Sequence, residues 1–363
     1  MDRTNQNLRD YGIPESVIFP SSKYWKKKKT FSSNSAIAGL DDTVTNRSGS
    51  QIILDASRSA PFGLQGISFA DATITMSGAN DSVTVKCSSP SLALAFPENS
   101  AGFTLEDVTD FATTPSVLNL GNGNNTVKAG DTTYPWATGI ALGKGSILSG
   151  GNGKDQILGW GKYKGIEIRG AVSLGDGDDL LVGSAMGREA DYDDMGIGIP
   201  EGGSIDMGAG NDTITGLLSV KNQSSRPFYS NGIVNMGDGD DQITGDAFQI
   251  NGNPSMVKPA TLMMGSGNDS LIATLLDSNA LIDFGTGVDK LFLPAGLYTI
   301  APSVKRLGYP DSSVQNEFFS VHSSMDDTGR SMYGADTIKG LEFLVSKNTG
   351  AEYPFAVGTI VVA

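Results

Sequence analysis

One ten-position pattern of hydrophobic and polar residues recurs eight times along the chain, in complete or slightly altered form: apolar, any, apolar, glycine, polar, glycine, polar, aspartate, any, apolar. The clearest copies are the segments 172–181 and 234–243. Apolar residues that alternate with polar ones are typical of short strands with one buried face. Each copy therefore predicts a strand, a corner and a second strand.

The fixed positions of the pattern indicate a stack of coils. The first glycine position holds Ser77, Gly121, Gly151, Gly175, Gly208, Gly237, Gly265 and Gly285. The acidic position holds Asp81, Asn125, Asp155, Asp179, Asp212, Asp241, Asp269 and Asp289. Glycine reaches backbone angles that suit a tight corner. A single coil cannot bury its apolar face but several stacked coils can, so the repeat predicts a β-solenoid.

These segments resemble RTX repeats, the glycine- and aspartate-rich nonapeptides of secreted calcium-binding proteins. The resemblance covers about residues 72–345, and the segments 288–300 and 334–343 are similar to the sequence that often closes RTX arrays. In that family, corner carbonyl groups and the aspartate bind calcium between stacked turns. The resemblance therefore implies a parallel β-helix with Ca²⁺ as its cofactor.

The spacing of the copies departs from that family, in which nonapeptides follow one another directly. Successive first-glycine positions lie between 20 residues apart (265 to 285) and 44 residues apart (77 to 121). We therefore expect one Gly-x-Gly-x-Asp corner per coil and a larger, three-sided cross-section. The predicted fold is all-β, a single right-handed parallel β-solenoid over 51–293. A basic extended arm (1–50) precedes it and a C-terminal β-rich cap (294–363) follows.

The corners of the six later copies are the predicted metal site. The expected ligand residues are Gly151, Gly153, Asp155, Gly175, Asp176, Gly177, Asp179, Gly208, Gly210, Asp212, Gly237, Asp238, Gly239, Asp241, Gly265, Gly267, Asp269, Gly285, Gly287 and Asp289. Aspartates stacked about 4.8 Å apart repel by roughly 1 kcal/mol per pair in water and about 3.5 kcal/mol at an effective dielectric near 20. Calcium accepts six to eight oxygen ligands in loose geometry. The alternative is an ion-free ladder in which each Asx side chain accepts hydrogen bonds from backbone N–H groups.

Charge and cysteine content narrow the possible partners. The chain has 26 basic and 40 acidic residues, a net charge of −14, which argues against nucleic acid as a partner. Cys87 is the only cysteine, so no internal disulfide framework exists. No apolar stretch is long enough for a membrane span. The N-terminus has no apolar signal segment, so we expect type I secretion or release by lysis, at a cell surface or in a virion.

The first 50 residues have the opposite charge balance, with eight basic residues against five acidic. Four of the basic residues form the run Lys26–Lys29, next to Tyr24 and Trp25. One interpretation is a solvated arm. The other is an assembly element that docks on the acidic solenoid of the same or a neighbouring copy.

A catalytic function has one candidate cluster. Lysine and tyrosine at 162–164, with Arg169, could meet Asp191, Asp193 and Asp194 on a neighbouring coil, as in a β-helix polysaccharide lyase or epimerase. His322 is the only histidine, which excludes a histidine-based metal cluster. Aromatic residues in or near the inter-motif segments either contact glycans or partners, or cover the coil; these are Trp136, Trp160, Tyr192, Phe228 and Tyr229.

The function expected from the sequence is structural and non-enzymatic. We predict a calcium-stabilised surface or adhesion protein that assembles with other subunits, as a homo-oligomer or in a larger extracellular or virion structure. Cell-surface glycans are a further expected partner. The alternative is a lyase or epimerase that acts on acidic glycans.

Overall fold

A computed structural model describes residues 117–131, 138–186, 194–219, 226–245, 248–250, 260–273, 276–303, 318–323 and 334–363, together with eight strands that precede residue 117. For those eight strands only the backbone is described, and the same holds for a few residues within the later ones. The described residues form strands, turns and bends without a helix.

The first strands in chain order are β1 (Tyr24–Trp25), β2 (Lys29–Ser32), β3 (Thr43–Asn46), β4 (Gln51–Ala56), β5 (Ile67–Ser68), β6 (Thr73–Thr75), β7 (Ser82–Cys87), β8 (Leu92–Phe96), β9 (Val117–Asn119), β10 (Thr126–Asp131), β11 (Thr138–Leu142), β12 (Ile147–Asn152), β13 (Gln156–Gly161), β14 (Lys164–Ile168), β15 (Ala171–Asp176), β16 (Leu180–Ala185) and β17 (Met195–Ile199). They continue with β18 (Ser204–Ala209), β19 (Thr213–Leu218), β20 (Arg226–Ser230), β21 (Ile233–Asp238), β22 (Gln242–Gly245), β23 (Phe248–Ile250), β24 (Thr261–Met263), β25 (Ser270–Ala273), β26 (Leu276–Asp283), β27 (Lys290–Leu293), β28 (Gly296–Pro302), β29 (Phe319–Ser323), β30 (Gly334–Lys339), β31 (Phe343–Ser346), β32 (Glu352–Pro354) and β33 (Gly358–Val362).

Most strands belong to three parallel ladders, in which each strand pairs with its counterparts in the coils before and after. The ladder that precedes the corner contains β1, β3, β6, β9, β12, β15, β18, β21, β24, β26 and β30. The ladder that follows the corner contains β2, β4, β7, β10, β13, β16, β19, β22, β25, β27 and β31. The third ladder contains β5, β8, β11, β14, β17, β20, β23 and β26. Three strands per coil agree with the three-sided cross-section expected from the spacing.

Strand β26 joins two of these ladders. Its first half, Leu276–Ser278, pairs with β23 of the third ladder, and its last residues, Leu281–Asp283, pair with β24 of the ladder before the corner. The loop that separates these two strands in earlier coils is absent from this one. The two ladders therefore merge into one 21-stranded sheet beside the 12-stranded sheet that follows the corner.

Aliphatic columns fill the interior because in-register stacking places the same pattern position of every coil at one site. The pattern's two apolar positions pair directly between coils, as Leu148 with Val172 and Leu181 with Ile214, and all four are at most 2% exposed. The third ladder adds a column that is not part of the repeat and includes Ile166, Ile197 and Phe228.

The predicted cap, 294–363, contains two kinds of strand. Strands β28, β29 and β33 pair with each other or with β30, and β32 pairs with β31, all in antiparallel orientation. Strands β30 and β31 instead continue the parallel ladders, stacked on β26 and β27. The parallel stack thus extends past residue 293, with β28 and β29 inserted before its last coil.

The structure confirms the all-β prediction and the stacking of parallel strands. Several sequence predictions lie outside the described residues: the arm beyond its short strands, the side chain of Cys87, and Trp136 and Tyr192. The same is true of the corners at Ser77 and Asp81.

Candidate functional site: a column of buried aspartates

The corner glycines of successive coils lie on top of one another. Gly151, Gly175, Gly208 and Gly237 are register partners in the ladder before the corner. Gly175 and Gly208 have φ values of +101° and +109°, and a Cβ on Gly208 would overlap the carbonyl oxygen of Gly175. Glycine is required at this position both for its backbone angle and for the close approach of the coil before.

The same contact continues to the end of the repeat. A Cβ at Gly265 would overlap the carbonyl oxygen of Gly237, and one at Gly285 that of Gly265. A second glycine column runs beside the first, with φ between +128° and +146°, and contains Gly153, Gly177, Gly210, Gly239, Gly267 and Gly287. Carbonyl oxygens of both columns therefore point along the stack toward the next coil.

The aspartates of the repeat form a continuous hydrogen-bonded ladder. The backbone N–H of each acidic position donates to Oδ1 of the aspartate one coil further on, at 2.7–2.8 Å. The members are Asn125, Asp155, Asp179, Asp212, Asp241, Asp269 and Asp289, and each is at most 2% exposed. This ladder is the Asx arrangement that the sequence left open as an alternative, and it uses only one oxygen of each carboxylate.

The other oxygen of each carboxylate has no hydrogen-bond partner. Oδ2 is buried and unpartnered in Asp155, Asp179, Asp212, Asp241, Asp269 and Asp289. An ionised carboxylate is costly to bury without a compensating proton or cation. The column therefore contains six buried oxygens that need either a bound proton or a cation.

The pKa values of these carboxyl groups are raised accordingly. Burial raises the pKa of Asp179, Asp212 and Asp269 to about 7, and neighbouring carboxylates add to the effect. Burial also raises the pKa of Asp241 and Asp289 to about 6. In each case the donated backbone N–H lowers the pKa but does not offset the desolvation.

Asn125 shows what the uncharged version of this position does. Its Nδ2 donates to the carbonyl oxygens of Gly121 and Gly123, at 3.1 and 3.0 Å. These are the two corner glycines of the same coil, so the amide supplies the positive hydrogens that the corner carbonyls attract. An aspartate has no hydrogen to offer these oxygens unless it is protonated.

A second Asx ladder runs along the exposed side of the corner in the opposite direction. Here the backbone N–H of one coil donates to Oδ1 of the coil before, as from Asn211 to Asp178 at 3.0 Å and from Asp240 to Asn211 at 2.8 Å. Two further predicted ligands, Asp176 and Asp238, are also exposed, and Asp238 accepts a hydrogen bond from the Ser266 hydroxyl at 2.7 Å. The predicted aspartates thus divide into a buried column and an exposed edge.

Sequence reasoning missed one acidic residue that extends the buried column. Oε2 of Glu342 accepts the backbone N–H of Asp289 at 2.9 Å, the same link that joins the aspartates below it. The corner around Glu342 lacks the Gly-x-Gly-x-Asp spacing, so the repeat pattern does not identify Glu342. Its only signals are Gly340 two residues before it and the apolar Leu344 two residues after it.

The carboxylates of the column cannot complete the ligand shell of a cation on their own. Within the described ranges, no three carboxylate, histidine or cysteine side chains form a metal-binding group. Calcium requires six to eight oxygens, so the aspartate Oδ2 atoms would supply only part of its shell. The Asn125 amide reaches the carbonyl oxygens of both glycine columns in its own coil, and carbonyls are ordinary calcium ligands.

The candidate lyase cluster forms a different arrangement. Lys164 Nζ and Arg169 Nη2 both bind Glu167 Oε1, at 2.9 and 3.1 Å, and Lys164 also lies 4.8 Å from the centre of the Tyr163 ring. Asp194 is fully buried. Asp191 and Asp193 lie outside the described residues.

The remaining singled-out side chains have varied surroundings. Phe228 is fully buried in the core, whereas Trp160 is 37% exposed and its indole covers Gly130 of the coil before. Tyr229 accepts a hydrogen bond from Asn231 through its hydroxyl, at 2.9 Å. His322 is half-buried in β29, opposite Thr299.

Comparison with protein-family models, curated proteins and solved structures gives no match for this chain. In the part of the chain that the structure describes, no helix is long and apolar enough to cross a membrane.

Proposed function

We propose that this protein is a calcium-stabilised β-solenoid with a structural or adhesive role at a cell surface or in a virion. In this proposal the chain winds as a single right-handed solenoid with one Gly-x-Gly-x-Asp corner per coil, the hand that parallel crossovers adopt almost without exception. The ions occupy a single file along the corner edge.

The observation that carries the proposal is the row of six buried, unpartnered Oδ2 atoms. Near neutral pH, aspartates whose pKa is about 6 to 7 are deprotonated in a large fraction of molecules. Each carboxylate left behind then needs a cation in place of the proton. A hard divalent cation with flexible coordination suits carboxylate and carbonyl oxygens together. Calcium meets that description better than magnesium, which demands octahedral geometry and retains its waters.

The test is thermal unfolding of the full chain in EGTA, in CaCl₂ and in MgCl₂, together with metal analysis of the purified protein. A ligand that binds only the folded state at 100 times its Kd stabilises it by about 2.7 kcal/mol per site. We expect several bound calcium ions and a higher Tm in calcium than in EGTA or magnesium. Equal Tm values in calcium and EGTA, with no bound metal, would reject calcium and leave a proton-stabilised ladder.

The structural role rests on the fold. A stack of parallel coils is a long, rigid support whose repeated outer faces can contact subunits or glycans at regular intervals. Assembly with other subunits is tested by light scattering of the full chain and of a chain without residues 1–30. We expect multimers that depend on the basic arm, and unchanged multimers after its removal would reject the arm as an assembly element.

The lyase or epimerase alternative rests on the cations of the third ladder, Lys164 and Arg169. Both bind Glu167 in the described structure, and the acidic partners Asp191 and Asp193 lie outside the described residues. Release of unsaturated uronates from acidic glycans, abolished by Asp191→Ala, would favour the enzyme over the structural protein.

A further inference from the structure

The last coil contains a shortened corner. Its flanking strands are in register with those of the coil before, since Asp283 pairs with Lys339 and Lys290 pairs with Phe343. In the earlier coil six residues (284–289) separate Asp283 from Lys290. In the last coil only three (340–342) separate Lys339 from Phe343. The full glycine corner has therefore been reduced to Gly340, Leu341 and Glu342.

The shortened corner still preserves the two contacts that define the column. Gly340 has φ +72° and lies against Gly285, where an added Cβ would be 2.8 Å from the Gly285 nitrogen. Glu342 lies beyond Asp289 and accepts its N–H at 2.9 Å, as Asp289 accepts that of Asp269 at 2.8 Å. The extra methylene of glutamate supplies the reach that the shorter backbone lacks.

The last two carboxylates of the column are neighbours, and among the described residues neither of the two nearby lysines forms an ion pair with them. Asp289 is fully buried, its Oδ2 has no partner, and its backbone N–H donates to the Glu342 carboxylate at 2.9 Å. Lys290, which follows Asp289, binds Glu352, and Lys339, which precedes the last corner, binds Asp283, each at 2.7 Å. Two neighbouring carboxylates in this setting attract an external cation.

This end of the column is also open to solvent. The shortened corner leaves residues 286–288 uncovered, and Val288 is 46% exposed. Gly287 is exposed, whereas its counterparts one and two coils earlier, Gly267 and Gly239, are half-buried. Because the corner residues 286–288 are exposed, water can complete the shell of a cation at this end.

We propose that Glu342 is a ligand of a terminal cation site, in which its carboxylate, that of Asp289 and carbonyl oxygens of the last full corner bind one divalent cation of the calcium class. This inference rests on the proposed calcium function and adds to it a site that no repeat motif marks. The site closes the ion file at its C-terminal end.

The test is calcium binding by the full chain, measured by titration calorimetry and by metal content after dialysis, for the wild type, Glu342→Gln and Glu352→Gln. Glutamine retains an oxygen for the Asp289 N–H but loses the charge, so the Tm in EGTA should change little. We expect Glu342→Gln to bind one calcium ion fewer, or to bind the weakest one about tenfold less tightly. Glu352→Gln, whose carboxylate is 44% exposed and binds Lys290, should match the wild type.

The outcomes separate this inference from the proposed function. Calcium binding by the wild type with an unchanged number and affinity in Glu342→Gln would overturn the terminal site alone. No calcium binding by the wild type would overturn both. If Glu342→Gln does not fold, Glu342→Asp is measured instead, since it keeps the charge but lacks the reach. Weaker binding of one ion would then support the site, and unchanged binding would overturn it.

Discussion

The backbone N–H of Asp179 donates a hydrogen bond to Oδ1 of Asp212 across 2.7 Å, although the two residues are 33 positions apart in the chain. The link satisfies a buried backbone donor and fixes the orientation of the carboxylate, which leaves Oδ2 without a partner. The same hydrogen bond recurs from coil to coil, so each aspartate of the column has one bonded and one unpartnered carboxylate oxygen. The hydrogen bond and the unmet charge of the other oxygen make opposite contributions to stability.

Replacement of one aspartate by asparagine separates these two contributions. In Asp212→Asn, Oδ1 still accepts the Asp179 N–H, and Nδ2 can donate to the corner carbonyls as it does in Asn125. We expect the variant to be more stable than the wild type in EGTA by about 1–3 kcal/mol, because a buried group gains its partner. Its stabilisation by calcium should be smaller. Both effects are measured by urea unfolding with and without calcium.

The matched control for that variant is Asp178→Asn, one coil earlier on the exposed ladder. Asp178 accepts the Asn211 N–H at 3.0 Å and is exposed, so asparagine should replace it within about 0.5 kcal/mol. A loss of stability in EGTA for Asp212→Asn would contradict the interpretation of Oδ2 as an unmet charge.

Much of this architecture is predictable from the sequence because stacking repeats the same local requirement. The columns of Leu148 and Leu181, and the glycine columns beside them, lie at fixed distances from the corner and therefore recur in the sequence. The core column of Ile166, Ile197 and Phe228 does not, since segments of variable length separate it from the corner. No periodic signal could have found it.

The finer features of the site depend on geometry that sequence does not carry. An ion-free ladder and a calcium site use the same aspartate at the same spacing, so the pattern could not choose between them. Glu342 escaped detection because the shortened corner places an acidic residue two positions after its glycine rather than four. Strands β28 and β29 are inserted before the last coil, and the spacing of the repeat does not predict this insertion.

Stability should depend on pH in a direction set by the raised pKa values. The folded state keeps Asp179, Asp212 and Asp269 protonated up to about pH 7, whereas an unfolded aspartate loses its proton near pH 4. The folded state therefore binds more protons between these limits, and its stability falls as pH rises through them. In EGTA we expect the Tm to decrease from about pH 4 to about pH 7.

Calcium should reverse this trend because it competes with protons for the same oxygens. In excess calcium the Tm should stay level or rise over the same range, and the apparent calcium affinity should increase with pH. Tm profiles in EGTA and in calcium, recorded from pH 4 to about pH 8 in matched ionic strength, test both statements. A Tm in EGTA that rises toward neutral pH would show that the column is not protonated in the folded state.

The stacking contact of the glycine columns can be separated from the cost of a positive φ. Gly208 (φ +109°) and Gly202 (φ +86°) both have left-handed backbone angles, but a Cβ at Gly208 would overlap the Gly175 oxygen, whereas one at Gly202 meets nothing within 4 Å. Alanine at Gly202 should cost about 1–2 kcal/mol for the backbone angle alone. Alanine at Gly208 should cost about 1–3 kcal/mol more, since the coils must move apart. Equal losses in urea unfolding would argue against close stacking at the corner.

The ion triad on the third ladder predicts the opposite pH response from the aspartate column. Burial alone would raise the pKa of Glu167, but Lys164 and Arg169 hold it below its usual range. Because the pKa of Glu167 is lowered in the folded state, the triad stabilises the protein at pH values above the unfolded pKa. This stabilisation is lost only as pH falls below about 4. Between about pH 4 and about pH 7 the contribution of the triad is therefore constant, and the fall in Tm over that range belongs to the aspartates.

Removal of the triad's carboxylate tests this assignment. Glu167→Gln leaves Lys164 and Arg169 without their shared anion, and because the glutamate side chain is only 15% exposed we expect a loss of about 1–3 kcal/mol at neutral pH. Glu352→Gln breaks an exposed ion pair and should cost at most about 1 kcal/mol. The variant Glu167→Gln should keep the wild-type decrease of Tm between about pH 4 and about pH 7, since the aspartates are intact. If that decrease disappears, the pH dependence originates at Glu167 and not in the column.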